Sequence, residues 1–207
     1  MKFLGLGIGL YFKRKEPFSS IRGYSDIKDI ITRALDSEDS INILLWGDPS
    51  SSKTMFLMEL AKEKGAVYFD CTNTTSRILD ILEQERPKII LLDEVEKMNR
   101  VFQSQLLNFL ESGHIKVDQM KRRYDFTIKG AKVFASANDL NKLSAPLMSR
   151  FRRLHLPKYI KDQFLKIAVK VCPKLPQETA LLIGQEVWNQ KGDIRDRALL
   201  RALYSLN

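Results

Sequence analysis

The sequence predicts an α/β protein: a mostly parallel sheet flanked by helices, followed by a small all-helical part. Three observations lead there. Short apolar runs that suit buried strands alternate with stretches of helical periodicity. The polar residues of interest sit where those runs end. After Pro157 the helical patterning continues and no strand-like run appears.

In chain order, residues 25–34 put Ile27, Ile30, Ile31 and Ala34 on one helical face, with Ser25 as the expected N-cap. Residues 41–46 form a short apolar run that ends at Gly47 and reads as a buried strand. Residues 53–64 return to helical spacing and stop before Gly65. A second strand is expected over 67–69, a helix over 75–84 ahead of Pro87, and a third strand over 89–92, running into Asp93 and Glu94. Residues 101–111 read as an amphipathic helix closed by Gly113. Between Gly113 and Gly130, Ile115, Val117, Phe126 and Ile128 alternate with polar residues, which predicts a hairpin. A fourth strand of the sheet spans 132–137 and a short fifth spans 154–156. Helical stretches over 162–171, 177–190 and 193–206 are punctuated by Pro173, Pro176 and Gly192. The expected organisation is an N-terminal extension over 1–18, an αβα domain over 19–157 and a helical domain over 158–207.

The chain has 207 residues, 44% of them hydrophobic, which suffices for one sizeable core. A net charge of +9 makes an acidic partner such as nucleic acid one reading and a Lys-rich solvated surface the other. Cys71 and Cys172 are far apart and have no metal-ligand spacing, which fits a reducing cytoplasm. The apolar run over 3–12 is half the length of a membrane span, and Lys13-Arg14-Lys15 follows it rather than preceding it. Neither a membrane segment nor a signal peptide is expected, but an extension packed on the domain.

Gly47-Asp48-Pro49-Ser50-Ser51-Ser52-Lys53-Thr54 lies between a predicted strand and a predicted helix, where a phosphate-binding loop belongs. Backbone N–H groups of such a loop face phosphate oxygens, Lys53 brings positive charge to the outer phosphates, and Thr54 offers a hydroxyl to Mg²⁺. The nucleotide-contacting set is therefore Gly47, Pro49, Ser50, Ser51, Ser52, Lys53, Thr54 and Met55, joined by Asp93. Ser52 stands where glycine is usual before the lysine, which alters the fit to phosphate. About forty residues on, Asp93 and Glu94 close an apolar strand. Asp93 can hold hydrated Mg²⁺ and Glu94 can polarise an attacking water. Thr54 and Asp93 are thus the metal candidates, and ATP with Mg²⁺ the expected ligands.

With both motifs in this order, the chain resembles the AAA+ ATPases, RuvB-like ones above all, from about Phe18 to Leu206. The Gly47-Asp48-Pro49-Ser50 opening, with a small residue before Lys53, is similar to the loop of the MCM helicases. The resemblance implies an AAA+ P-loop NTPase core with a helical lid. Ile21-Arg22-Gly23-Tyr24 resembles the segment bordering the adenine, where Tyr24 either packs on the base or is a core aromatic. Phe134 to Asn138 resembles the strand ending in sensor 1, which makes Asn138 a contact for water or γ-phosphate. Leu147-Met148-Ser149-Arg150-Phe151 resembles the segment bearing the arginine finger. Arg150 would then serve a neighbour's site in a homo-oligomeric, hexameric ring. Arg152 and Arg153 are its fallbacks. Gly192-Asp193-Ile194-Arg195 resembles sensor 2, with Arg195 reaching the γ-phosphate from the lid.

What such a module acts on is less determined. Protein-threading relatives carry an aromatic pore loop after the second strand; here Asp70-Cys71-Thr72-Asn73-Thr74 has no aromatic. The hairpin centre, Lys121-Arg122-Arg123-Tyr124, suits a DNA backbone and a stacked base, or is ordinary surface charge. Three readings follow: a ring motor on DNA, a chaperone that remodels a protein complex, and a nucleotide-gated binding module with little turnover. No dedicated DNA-binding domain is visible, so a motor is expected to grip its track with the ring or through a protein partner.

Overall fold

The computed structural model describes residues 18–21, 23–49, 51–72, 75–119, 122–171 and 175–189. Its regular elements are α1 (Ser25–Asp36), β1 (Asn42–Trp46), α2 (Lys53–Leu60), β2 (Ala66–Asp70), α3 (Thr75–Glu85) and β3 (Ile89–Asp93), then α4 (Arg100–Ser112), β4 (His114–Gln119) and β5 (Arg122–Thr127). After these come β6 (Lys132–Ala137), α5 (Ala145–Ser149), β7 (Arg152–His155), α6 (Lys161–Val171) and α7 (Gln177–Asn189). Single 3₁₀ turns at Val95–Lys97 and Leu140–Lys142 follow β3 and β6.

Five strands form one parallel sheet in the order β2-β3-β6-β1-β7. From β1 the chain goes to the far edge at β2 and returns through β3 to β6. It then crosses β1 to reach β7. Strand ends lie level as a result: Trp46 pairs with Ala137 and His155, and Asp70 with Asp93. Ligands of open α/β sheets bind at these carboxyl ends.

Alternation along each strand sends side chains to two cores. Ile43, Leu45, Leu91 and Phe134 pack with Phe56 and Leu57 of α2 and Ile31 of α1. Leu44, Ile90, Leu92 and Val133 pack with Leu79 of α3, Phe102 of α4, and Ile115 and Phe126 of the hairpin. By the same alternation Asp93 and Ser136 face the α2 layer. The strands are apolar on both faces because helices cover both, as parallel sheets require.

Three expectations change. Tyr24, not Ser25, is the N-cap of α1, in a left-handed conformation (φ 56) with no side-chain cap. Its carbonyl accepts the Lys28 N–H, while its ring packs against Phe56 and Tyr159. Tertiary anchoring of the aromatic outweighs local capping preference. The second helix stops at Leu60 rather than residue 64, because the next turn tightens to i,i+3 bonds, Lys62 N–H to Glu59 and Glu63 N–H to Leu60. Tyr124 is 2% exposed and donates 2.8 Å to Asp80, so it is a core residue and not an aromatic at the hairpin tip. The short helix α5 escaped sequence reading because five residues carry no usable periodicity.

The helices α6 and α7 share a small cluster of Phe164 and Val187, with Trp188 edge-on to Phe164. Gly184 lets them approach: a Cβ there would lie 2.7 Å from that of Ala168. Of the expected extension over 1–18, residues 1–17 lie outside the described residues and Phe18 is buried in the core with Phe56, while Cys172 and the helical stretch over 193–206 also lie outside them. Among the described residues no helix is long and apolar enough to cross a membrane.

Candidate functional site

The loop after β1 is shaped by its neighbour strand. Leu156 N–H bonds the Trp46 carbonyl, and a Cβ on Gly47 would lie 2.3 Å from the Leu156 carbonyl oxygen. Only glycine fits. At the loop's other end Ser52 adopts the left-handed region (φ 65), which explains why glycine is common there. Its hydroxyl lies 3.4 Å from that of Tyr159. Ser52→Gly is expected to raise stability by about 1 kcal/mol by removing that backbone strain. The urea midpoint measures it, and a lower midpoint would mean the Tyr159 contact outweighs the strain.

Lys53, the first residue of α2, is 5% exposed. Its ammonium donates to the carbonyls of Gly47 (2.8 Å) and Asp48 (2.7 Å) and to the Ser51 hydroxyl (3.0 Å). The charge is thus held at the centre of the loop. Thr54 and Met55 are half-buried in the first turn of α2, Ser51 is buried, and Pro49 is exposed. Ser50 lies outside the described residues.

Asp93 ends β3 at 6% exposure, and both its oxygens are engaged. Tyr68 donates to Oδ2 at 2.7 Å and Ser136 donates to Oδ1. Burial, then the bond to Asp93, push the Tyr68 phenol up. The two hydroxyl donors fix the orientation of the Asp93 side chain. Among the described residues no three His, Cys, Asp or Glu side chains group as a metal cage. The donors that would suit Mg²⁺ are the hard oxygens of Thr54 and Asp93.

Glu94 is left-handed (φ 56), an uncommon state for a non-glycine residue. Its N–H bonds the Ser136 hydroxyl at 2.9 Å. Its carboxylate is shared: Oε1 accepts from Asn138 Nδ2 at 3.0 Å, and Oε2 pairs with Lys97 at 2.6 Å. That bond to Glu94 holds the Lys97 ammonium above its usual range. Asn138, one residue beyond β6, also donates its N–H and Nδ2 to Glu96. Asp93, Glu94 and Asn138 are therefore brought together at adjacent strand ends.

Tyr24 stands beside the loop, its hydroxyl on the Pro157 carbonyl (2.7 Å) and its ring 5.1 Å from that of Tyr159. Burial raises both phenols.

Arg150 is not brought to this site. Buried Leu147 and Phe151 turn it outward at the end of α5, where it pairs with Glu111 at 2.9 Å. Its carbonyl accepts from Asn42, at the opposite end of β1 from Gly47. That is one strand length, roughly 15 Å, from the loop. Arg152 and Arg153 are exposed on β7. Arg195, Lys121 and the Arg122 side chain lie outside the described residues. Arg123 is exposed and pairs with Asp118 at 3.2 Å.

Sequence reading missed Tyr68, Ser136, Glu96 and Tyr159. A polar residue in the apolar run over 132–137 was a signal for Ser136, and the acid two places after Glu94 was one for Glu96. Tyr68 and Tyr159 left none, since both depend on neighbours distant in the chain.

Two comparisons bear on this geometry. A family model described as "ATPase family associated with various cellular activities (AAA)" matches residues 43–158, from β1 through the residues just after β7. The chain is also similar to the Holliday junction branch migration complex subunit RuvB of Picosynechococcus sp., at 24% identity over 155 residues. The match covers 67% of this chain and 42% of that protein, so the chain spans less than half the length of this relative.

Proposed function

The chain belongs to the ATPase family associated with various cellular activities, and from that premise we propose that it hydrolyses ATP as a ring and uses the cycle on DNA. The observation that carries the hydrolysis is the Asp93–Glu94–Asn138 cluster beside a loop centred on a buried lysine. Lys53 and the loop N–H groups bind the outer phosphates of ATP. Thr54 and Asp93 would hold Mg²⁺, which would neutralise charge on the phosphates. Glu94 takes a proton from the attacking water as the γ-phosphorus gains that oxygen and ADP departs. Asn138 aligns water and phosphate by releasing its bond to Glu94. Tyr24, whose ring packs beside the loop against Phe56 and Tyr159, is assigned to border the adenine.

Arg150 is assigned to the neighbouring subunit's site, because its own loop is a strand length away. Arg150→Ala is expected to lose at least about a hundredfold in turnover while ATP binding stays intact. Mixing it with Glu94→Gln subunits should restore part of the activity, because some interfaces then combine an intact base with an intact arginine. Absence of rescue in a titration of mixed subunits would overturn the shared site.

DNA as the track rests on the charge of +9 and on similarity to a protein named for branch migration. A second reading, remodelling of a protein complex, draws support from the hairpin. Its exposed face is of mixed sign, with Lys116 and Arg123 beside Asp118 and Asp125, and Asp125 is bonded to His114, which lowers its pKa. The test is ATP hydrolysis against protein concentration, with and without single-stranded and branched DNA, using Glu94→Gln as blank. Turnover that rises with concentration and again with DNA supports the motor. Turnover indifferent to DNA favours protein remodelling, and none above the blank leaves a nucleotide-gated binding module. Replacing Lys121, Arg122 and Arg123 together with alanine is expected to weaken DNA binding and flatten its salt dependence by up to about three ions. An unchanged salt slope removes the hairpin from the DNA contact.

A further inference from the structure

Glu96 is 7% exposed, in the 3₁₀ turn directly after Glu94. One oxygen, Oε1, accepts both amides of Asn138: the main-chain N–H at 3.0 Å and Nδ2 at 3.1 Å. The other, Oε2, is buried and has no hydrogen-bond partner. Among the described residues it is the one buried side-chain nitrogen or oxygen in that condition. A glutamine could accept the same two bonds through its amide oxygen and carry no charge. A buried carboxylate with an orphaned oxygen is the more expensive choice, and such choices concentrate where function requires them.

The charge has an evident use. Asn138 Nδ2 carries two protons. One goes to Glu96 and one to Glu94 at 3.0 Å. Glu94 is half-exposed and also pairs with Lys97, whereas Glu96 is enclosed. A bond to a buried charge is strong, and this one loops the side chain back to its own main-chain N–H. Together with the bond to Glu94, it fixes which end of the Asn138 amide carries the hydrogens. When Glu94 turns to water, the bond to Glu96 keeps the Asn138 amide oriented.

We propose that Glu96 is the positioning residue for Asn138, holding its amide in the orientation that distinguishes a γ-phosphate from its absence. The proposal rests on the reading of Asn138 as a γ-phosphate contact in an ATP-hydrolysing site. Glu96 itself touches no substrate and acts through the amide.

The test is nucleotide discrimination, which needs no turnover. Affinities of the full chain for ADP and for a non-hydrolysable ATP analogue, both with Mg²⁺, are measured by calorimetry for wild type, Glu96→Gln, Asn138→Ala and the double variant. Glu96→Gln is expected to lower the preference for the ATP analogue about tenfold, as expected for a weakened charge-assisted bond. Asn138→Ala should lower it at least as far, and the double variant no further than Asn138→Ala alone, because both changes break one device. Glu96→Asp, whose carboxylate stops one methylene short of the Asn138 amides, serves as a second variant and should lower the preference at least as far as Glu96→Gln. A double variant that loses the product of the two single losses overturns the proposal. So does a Glu96→Gln protein with undiminished preference. A wild type that binds neither nucleotide overturns the ATP reading first and this inference with it, whereas independent losses in a nucleotide-binding wild type overturn only the role of Glu96.

Discussion

Glutamine in place of Glu94 is expected to lower turnover by at least about a hundredfold, the range for loss of a general base, with ATP affinity held within about threefold. The geometry gives this substitution a second consequence. Glu94 receives two donors, the Asn138 amide on one oxygen and the Lys97 ammonium on the other. A carboxylate accepts both because it has acceptors at both ends. A glutamine has one acceptor end, so one of the donors must face an NH₂ group. The side chain is then expected to turn its oxygen to Lys97, the charged donor, and to release Asn138. Steady-state hydrolysis and equilibrium nucleotide binding on the same preparation separate the two effects. Wild-type turnover in Glu94→Gln would remove Glu94 from the base role altogether.

Alanine at position 53 has the other large effect, on binding. The Lys53 ammonium is almost fully enclosed and donates to Gly47, Asp48 and Ser51. Its removal takes away the charge that would meet the outer phosphates and also leaves two loop carbonyls without their donor. Charge-assisted bonds of this kind contribute about 1.5–3 kcal/mol each in net terms, so ATP affinity is expected to fall by roughly a hundredfold. Titration with a fluorescent ATP analogue reads the change. Unchanged affinity would count against the loop as the phosphate site. Thermal unfolding of the unliganded variant supplies an independent reading, since the loop loses its internal tie even without nucleotide. A modest fall in midpoint is expected there.

Much of the site was legible in the sequence because its parts are local. A phosphate loop needs a strand before it and a helix after it, and residues 47–54 stand in that order. Asp93 and Asn138 announce themselves as polar residues at the ends of apolar runs. Parallel sheets bury strands on both faces, so those runs are nearly continuous and easy to find. Element type, element order and the three strand-end positions are therefore properties of the chain read in one dimension.

Other features were decided only by packing across long separations. Tyr68 reaches Asp93 from the neighbouring strand, 25 residues away, and Glu96 reaches Asn138 across 42. Tyr159 meets Ser52 across 107. The hairpin shows the same limit in the other direction. Tyr124 stands next to a basic run in sequence, yet strand alternation turns it into the core beside Asp80 while Arg123 faces out. The sequence by itself determined the fold class, the strand–loop–helix order around residues 47–54 and the place of Asp93 and Glu94 at a strand end, since each depends on periodicity or spacing within a few residues. The tertiary structure alone decided the left-handed backbone at Ser52 and Glu94, the burial of Lys53 and the donors on Asp93. It alone also set Arg150 a strand length from its own loop, because strand order and register, rather than any local pattern, select which distant residues become neighbours.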